Sequence, residues 1–157
     1  MDKSISFYVA GIPVPQGSSR AFVVKGRAVI THANKETMSW RQRIATEAQR
    51  NRPSDWTMSR DTSYCVNAVF VFPRPPSAKE WKRKRPIVKP DLDKLIRNLN
   101  DALTDILWVD DCQVTCIEIE KRYVDNLTPN TGVCITVIEQ SNIGERPMRN
   151  KTKDSEA

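Results

Sequence analysis

Apolar and polar positions alternate from the start of the chain: Ile5, Phe7 and Val9 stand between polar or small residues, the two-residue period of a half-buried strand. Two glycines and two prolines in residues 11–17 exclude regular structure, so a loop follows. Residues 21–24 and 27–31 flank Lys25-Gly26 and predict a hairpin. Trp40, Ile44 and Ala48 then recur every fourth residue with Ala45 beside them, which predicts a helix capped by Asn34 and running to about Arg50, where Pro53 and Ser54 mark the exit. Residues 64–72 are apolar on both alternations, the signature of a strand covered on both faces.

The strongest periodicity lies further on. Leu92, Leu95, Ile96, Leu99, Ala102, Leu103 and Ile106 keep to one helical stripe, and Asp105 is expected to terminate that helix. Before it, residues 74–90 contain four prolines and predict an irregular, mobile loop. Residues 113–123 and 131–138 predict two more strands, joined by the turn-rich 125–130. The first has a conflict of register, because Val114 and Cys116 fall on one alternation and Ile117 and Ile119 on the other; a bulge or burial on both sides would resolve it. From about Ser141 the chain turns polar, and 141–157 is expected to be a disordered tail on a single domain spanning 1–140. No internal repeat is present. The sum is an α+β fold: a small mixed sheet of four to five strands with two main helices.

Length changes this picture little, since 157 residues suffice for one core burying roughly 68–70% of the unfolded surface. No run of eighteen apolar residues exists, which excludes a helical membrane span, and the N-terminus carries no basic leader with an apolar stretch behind it. Cys65, Cys112, Cys116 and Cys134 therefore read as reduced core thiols of a cytoplasmic protein. Cys112 and Cys116 lie four apart on a predicted strand, a poor zinc knuckle, and His32 is the single histidine, with no nucleophile motif to serve.

Charge changes it more. The net formal charge is +6, and residues 74–89 hold seven basic side chains against one acid, Glu80. A positive segment this dense is an electrostatic footprint for polyphosphate, although short basic runs also serve only solubility. Within it, Trp81 has the chemistry to stack on a base or to anchor the loop.

Six aspartates follow within twenty-one residues: Asp91, Asp93, Asp101, Asp105, Asp110 and Asp111. Acids so close repel one another unless a cation sits among them, and a divalent metal beside a phosphate-attracting flank suggests phosphodiester chemistry. Asp91 and Asp93 bracket the helix start, where capping and the helix dipole are the plain explanation. That explanation does not cover Asp110 and Asp111, which lead from an apolar segment into a strand. A short return of the chain would bring Asp111 beside Asp91 and Asp93, giving three carboxylates for Mg²⁺ or Mn²⁺. Asp101, roughly 12 Å from Asp93 along the helix, is too far for the same ion and reads as a solvated acid, or one paired with Arg97. Arg97 itself has two readings, a pair with Asp93 or Asp101, or a cation for phosphate charge.

These strings, DLDKLIRNLNDAL and then WVDDCQV, resemble the core motif of the RusA-type Holliday-junction resolvases, the crossover junction endodeoxyribonucleases of bacteria and of phages or prophages. The motif runs D-x-D-N-L-x-K-x-x-x-D-A-L, a short glycine-containing link, then W-x-D-D-x-Q-V. The resemblance is specific over residues 90–114 and weaker over the rest of 5–139, where it takes in the loop with Pro13, Pro15 and Arg20.

The resemblance implies a small homodimeric mixed α/β nuclease of recombination and repair, cutting four-way DNA junctions symmetrically with Mg²⁺ (Mn²⁺ substituting), with neither a membrane nor an organic cofactor. It implies metal-binding and catalytic roles for Asp91, Asp93 and Asp111, with Asp110 the acid beside the third. Arg97 falls where the family has a catalytic lysine; guanidinium keeps the charge and loses the capacity to donate a proton. Lys94 replaces an asparagine and would either supply the missing ammonium or be a plain surface residue, so that Arg97 or Lys94 would contact the scissile phosphate. Asp105 replaces the glycine of the helix exit. Arg20, Lys25, Arg27, Lys82, Arg83, Lys84 and Arg85 would hold the junction arms through phosphates, without reading bases. The alternatives are a nuclease preferring flaps or forks and a catalytically silent binder of branched DNA.

Overall fold

The computed structural model describes residues 2–17, 20–31, 35–79, 82–142 and 144; Asn34, His32, Trp81 and the tail from 145, with the side chain of Arg20, lie outside the described residues. Six strands and two helices follow in the order β1 (Ser4–Ala10), β2 (Arg20–Val24), β3 (Arg27–Thr31), α1 (Lys35–Asn51), β4 (Thr62–Phe72), α2 (Leu92–Leu103), β5 (Val114–Tyr123) and β6 (Gly132–Ser141), with a 3-10 turn at Asp111–Gln113. The main sheet has four strands in the order β1-β6-β4-β5, while β2 and β3 form a separate hairpin. In that hairpin Val24 pairs with Arg27, so Lys25 and Gly26 form a two-residue turn, and both take positive φ (50° and 75°) as such turns require.

β1 and β4 pair antiparallel with β6, whereas β4 and β5 are parallel, which makes the sheet mixed. One cross-strand row shows how the sheet builds the core: Phe7 faces Ile135, Ile135 faces Ala68 and Ala68 faces Ile119. All stand on the face that the two helices cover, with Trp40, Ile44, Leu95 and Leu99 packed over them. α1 and α2 also pack on each other, so both lie on that one side.

The opposite face carries no helix among the described residues. Cys65 and Val71 are buried there, but Asn67 and Val69 are only half-buried and Cys134 is exposed. The two-sided burial expected of residues 64–72 therefore holds in part. The same uncovered face corrects the cysteines: all four are free thiols, but Cys65 alone is buried, while Cys112 and Cys134 are exposed and Cys116 is intermediate. Cys112 lies in the 3-10 turn, not on a strand. A hydrogen bond with Cys116, its partner across the parallel pair, pushes the Cys65 thiol up to about 11, with burial the second cause.

A parallel pair needs a crossover, and the segment between β4 and β5 supplies it with the basic loop and α2. A crossover helix runs antiparallel to the strands it joins. Its start thus lies at the carboxyl ends of β4 and β5, where Lys121 Nζ donates to the carbonyls of Val88 (2.7 Å) and Pro90 (2.8 Å). α2 ends at Leu103, one residue short of Thr104, whose Oγ1 donates to Asn100 O at 3.0 Å. Asp105 adopts φ 66°, the left-handed conformation that a glycine would otherwise serve, and its N–H donates to Trp108 O at 2.8 Å. Ile106, on the helical stripe by spacing, thus belongs to a buried turn beyond the helix. The conflict in β5 is resolved by a bulge: Tyr64 pairs with Val114 and Cys65 with Cys116, leaving Thr115 as the extra residue.

Candidate functional site

Asp91 occupies the N-cap position of α2 but makes no capping hydrogen bond. Its carboxylate is half exposed and faces Lys94 Nζ at 3.7 Å, an ion pair one turn along the helix. The capping explanation for this acid fails, and its oxygens are left facing solvent. Asp93 and Arg97 are both exposed, one turn apart on the outer face of α2, while Leu95, Ile96 and Leu99 point to the core. Asp101 pairs with Arg41 Nη2 at 3.2 Å, so the expected Arg97–Asp101 pair is replaced by one between helices. The ion pairs among the described residues do not include Arg97.

Asp110 has a local task. Its Oδ1 accepts from the Cys112 N–H at 3.0 Å, and Gln113 Oε1 accepts from the N–H groups of Val109 (3.0 Å) and Asp110 (3.1 Å), which completes a capping box. Gln113 Nε2 in turn donates to Ser59 O (2.7 Å) and Thr62 O (2.8 Å), fastening the turn to the start of β4. The Cys112 amide holds the Asp110 carboxyl below its ordinary range. This box presents Asp111 outward.

Asp111 is shifted the other way. Partial shielding from water raises its pKa first, the adjoining Asp110 next and the charge of Asp101 after that, with Arg97 partly offsetting them. The return of the chain thus brings Asp111 alongside the Arg97–Asp101 stretch and not to the helix start. The crossover is the physical reason, since it sends Asp91 and Asp93 to one end of the parallel pair and Asp111 to the other. Among the described residues no group of three or more His, Cys, Asp and Glu side chains stands ready to hold a metal ion. Arg97 is the link between the two acidic ends, one turn from Asp93 and within electrostatic reach of Asp111.

The cations surround this helix unevenly. Lys82, Lys84 and Arg85 are exposed on the loop that precedes α2, and Arg83 is half-buried. Arg74, from the same basic run, is a clasp: its Nη1 donates to Ala78 O (2.8 Å) and Arg83 O (2.5 Å), and its guanidinium lies 4.5 Å over the Tyr123 ring. Lys25 and Arg27 are exposed at the β2–β3 turn.

Asn98 is the positioning residue that the apolar stripe conceals. It is fully buried; its Nδ2 donates to Val14 O (3.0 Å) and Thr37 O (3.4 Å), and its Oδ1 accepts from Arg41 Nε (3.0 Å). These bonds tie the loop after β1 and helix α1 to the helix that carries the acids. Asn98→Leu, which keeps the volume and removes every bond, is expected to cost roughly 2–3 kcal/mol through the stranded partners. A fall in the urea midpoint with an unchanged slope checks it, and an unchanged midpoint would contradict it.

The described residues thus combine an α+β sheet, exposed acids on a crossover helix and a cationic loop leading into it. The chain belongs to the RusA endodeoxyribonuclease family, whose model, Endodeoxyribonuclease RusA, matches residues 11–137. Over 126 residues it is 29% identical to the Uncharacterized protein YqaN of Bacillus subtilis (strain 168), a match covering 76% of this chain and 87% of that protein. Family membership implies an endodeoxyribonuclease that resolves Holliday junctions and acts on branched DNA. Among the described residues no helix is long and apolar enough to cross a membrane.

Proposed function

We propose that this protein cuts four-way DNA junctions in a divalent-metal-dependent reaction, as a two-fold dimer making paired, symmetric cuts. The observation that carries the reading is the exposed outer face of α2, which offers Asp91 and Asp93 uncommitted to capping and sets Arg97 between them and Asp111.

The donor set suits Mg²⁺ or Mn²⁺, being made of carboxylate oxygens with no soft ligand among them. Mg²⁺ is commonly held by one or two carboxylates together with substrate phosphate and water, so a three-acid cluster in one chain is not required. Asp91 and Asp93 would hold it at the start of α2, while Asp111, at the other end of the helix and kept in place by Asp110 through the capping box, would serve the same reaction from the far side of Arg97. A bound ion of this kind supplies an activated water and charge stabilisation on the departing oxygen.

The chain's own residues do the rest. Arg97 holds the scissile phosphate and offsets its growing charge, and its guanidinium remains protonated throughout. Lys94 orients Asp91 through their ion pair. Lys82, Lys84 and Arg85 hold a junction arm by phosphate contacts, joined by Arg20, Lys25 and Arg27 of the hairpin. Two symmetric cuts need two such sites, and a closed two-fold dimer provides them.

Incubating purified protein with end-labelled four-way, Y-shaped and linear duplex DNA, with and without Mg²⁺, tests this reading. Paired products from the four-way junction in Mg²⁺ alone support it. Faster cutting of Y-shaped DNA would move the preference to forks, and retention without cutting would leave a binder. Changing Lys84 and Arg85 together to Ala is expected to flatten the slope of log affinity against log salt by about 0.9 for each phosphate no longer neutralised. An unchanged slope would take the loop off the DNA.

A further inference from the structure

The basic loop has two proline-rich stems, and between them lies a cavity that the proposed cleavage does not use. It has a volume of about 420 Å³, with Pro73 and Pro76 on one stem and Pro86 and Pro90 on the other. Phe72 and Tyr123, from the carboxyl ends of β4 and β5, also line it, as do the cationic Arg74, Lys89 and Lys121. A cavity at the carboxyl ends of parallel strands is where open α/β sheets place their ligands. Its lining is mostly apolar, and Pro90 adjoins Asp91 directly in the chain.

We propose that this cavity receives one unstacked nucleobase from the branch point of the DNA strand whose phosphates lie on the basic loop, which gives the site a means of choosing where it cuts. The inference rests on the functional reading above and adds a base contact to a surface otherwise limited to backbone contacts.

Two observations carry it. The walls are mostly proline rings, rigid flat surfaces that suit a planar heterocycle. The second is charge: Lys84, Arg85 and Lys89 are exposed along the second stem, so a strand drawn to them carries its base to the cavity mouth. A purely apolar ligand would leave these cations unused. At a branch point stacking is interrupted, so extruding a base costs least there.

The full-length protein is mixed in EDTA with an immobile four-way junction carrying 5-iodo-2′-deoxyuridine at one position, either at the branch point or within an arm. The sample is irradiated, and the crosslinked peptide is mapped by mass spectrometry. The branch-point base is expected to join a peptide containing Tyr123 or one of the two stems, and the arm base is not. Val88→Trp fills the cavity from its exposed rim and is expected to lower that crosslink about tenfold, with junction retention changed by no more than about twofold. A retained junction whose crosslinks avoid Tyr123 and both stems, or a yield unmoved by Val88→Trp, overturns the pocket and leaves the nuclease reading standing. Failure to retain branched DNA at all overturns both. Competition by a proline-rich peptide but not by single-stranded DNA would assign the cavity to a protein partner instead.

Discussion

Asp91→Asn and Asp111→Asn are each expected to lower cleavage of a four-way junction by at least about 100-fold, because even an outer partner of a metal ligand costs 10–100-fold when lost. Asparagine keeps the shape and removes the charge. Asp91 makes no capping bond, only a solvent-exposed ion pair with Lys94, and Asp111 is held outward by its neighbours' box, so each change costs little stability. Junction binding, carried by the cations, is therefore expected to change by about twofold at most, and the melting temperature to stay where it is. Asp110→Asn separates the roles further: it removes the charge of the acceptor that caps the 3-10 turn, so a smaller loss of rate with some loss of stability is expected there. Cleavage surviving both Asp91→Asn and Asp111→Asn in saturating Mg²⁺ would remove the carboxylates from the chemistry. Gel assays of cutting beside gel assays of binding read the two effects apart.

Trp108→Ala carries the largest expected cost in stability, about 3–5 kcal/mol. Trp108 is fully buried, lies 5.6 Å from the Tyr64 ring between centroids, and donates from Nε1 to Thr104 Oγ1 at 3.2 Å. Tyr64 meets Trp56 on stacked rings 6.1 Å apart, and Trp56 Nε1 donates to Leu107 O at 2.9 Å. These aromatic rings lock the turn that carries the chain from α2 into the acidic box. Alanine would leave a large void there and free the Asp105 backbone to lose its left-handed conformation. Cleavage is expected to fall with stability in this variant even though no reacting group is touched. Thermal unfolding of the purified protein checks the first part, and an unfolding midpoint within a degree of the wild type would refute it.

The elements were legible because burial imposes a period and a period survives in the residues. Ile5, Phe7 and Val9 marked β1, and the stripe from Leu92 to Leu103 marked α2. Asp105 stood out as the helix terminator because it occupies the place of a left-handed exit. Periodicity has no direction, however. Nothing in residues 91–111 says that α2 runs against β5, and that direction decides which end of the helix Asp111 meets. The parallel pairing of β4 with β5 is a long-range fact, and the expected three-acid convergence depended on it.

Two other residues were hidden for different reasons. Asn98 follows Leu95 by three positions and so sits on the buried side, a polar residue in an apolar stripe; its partners, Val14, Thr37 and Arg41, lie far away in the chain. Gln113 could have been found, since Asp followed three residues later by Gln is the pattern of a capping box. The exposed cysteines escaped because apolar neighbours in sequence do not reveal that one face of the sheet lacks a covering layer.

The bulge at Thr115 has a bearing on how copies of this chain behave when crowded. β5 is an outermost strand whose free backbone groups could template a further strand. An interrupted ladder at its beginning and the exposed carboxylates of Glu118 and Glu120 along it oppose such docking. Concentrated solutions should therefore resist fibril growth through this border, and Glu118→Val with Glu120→Val is the change that would weaken the safeguard.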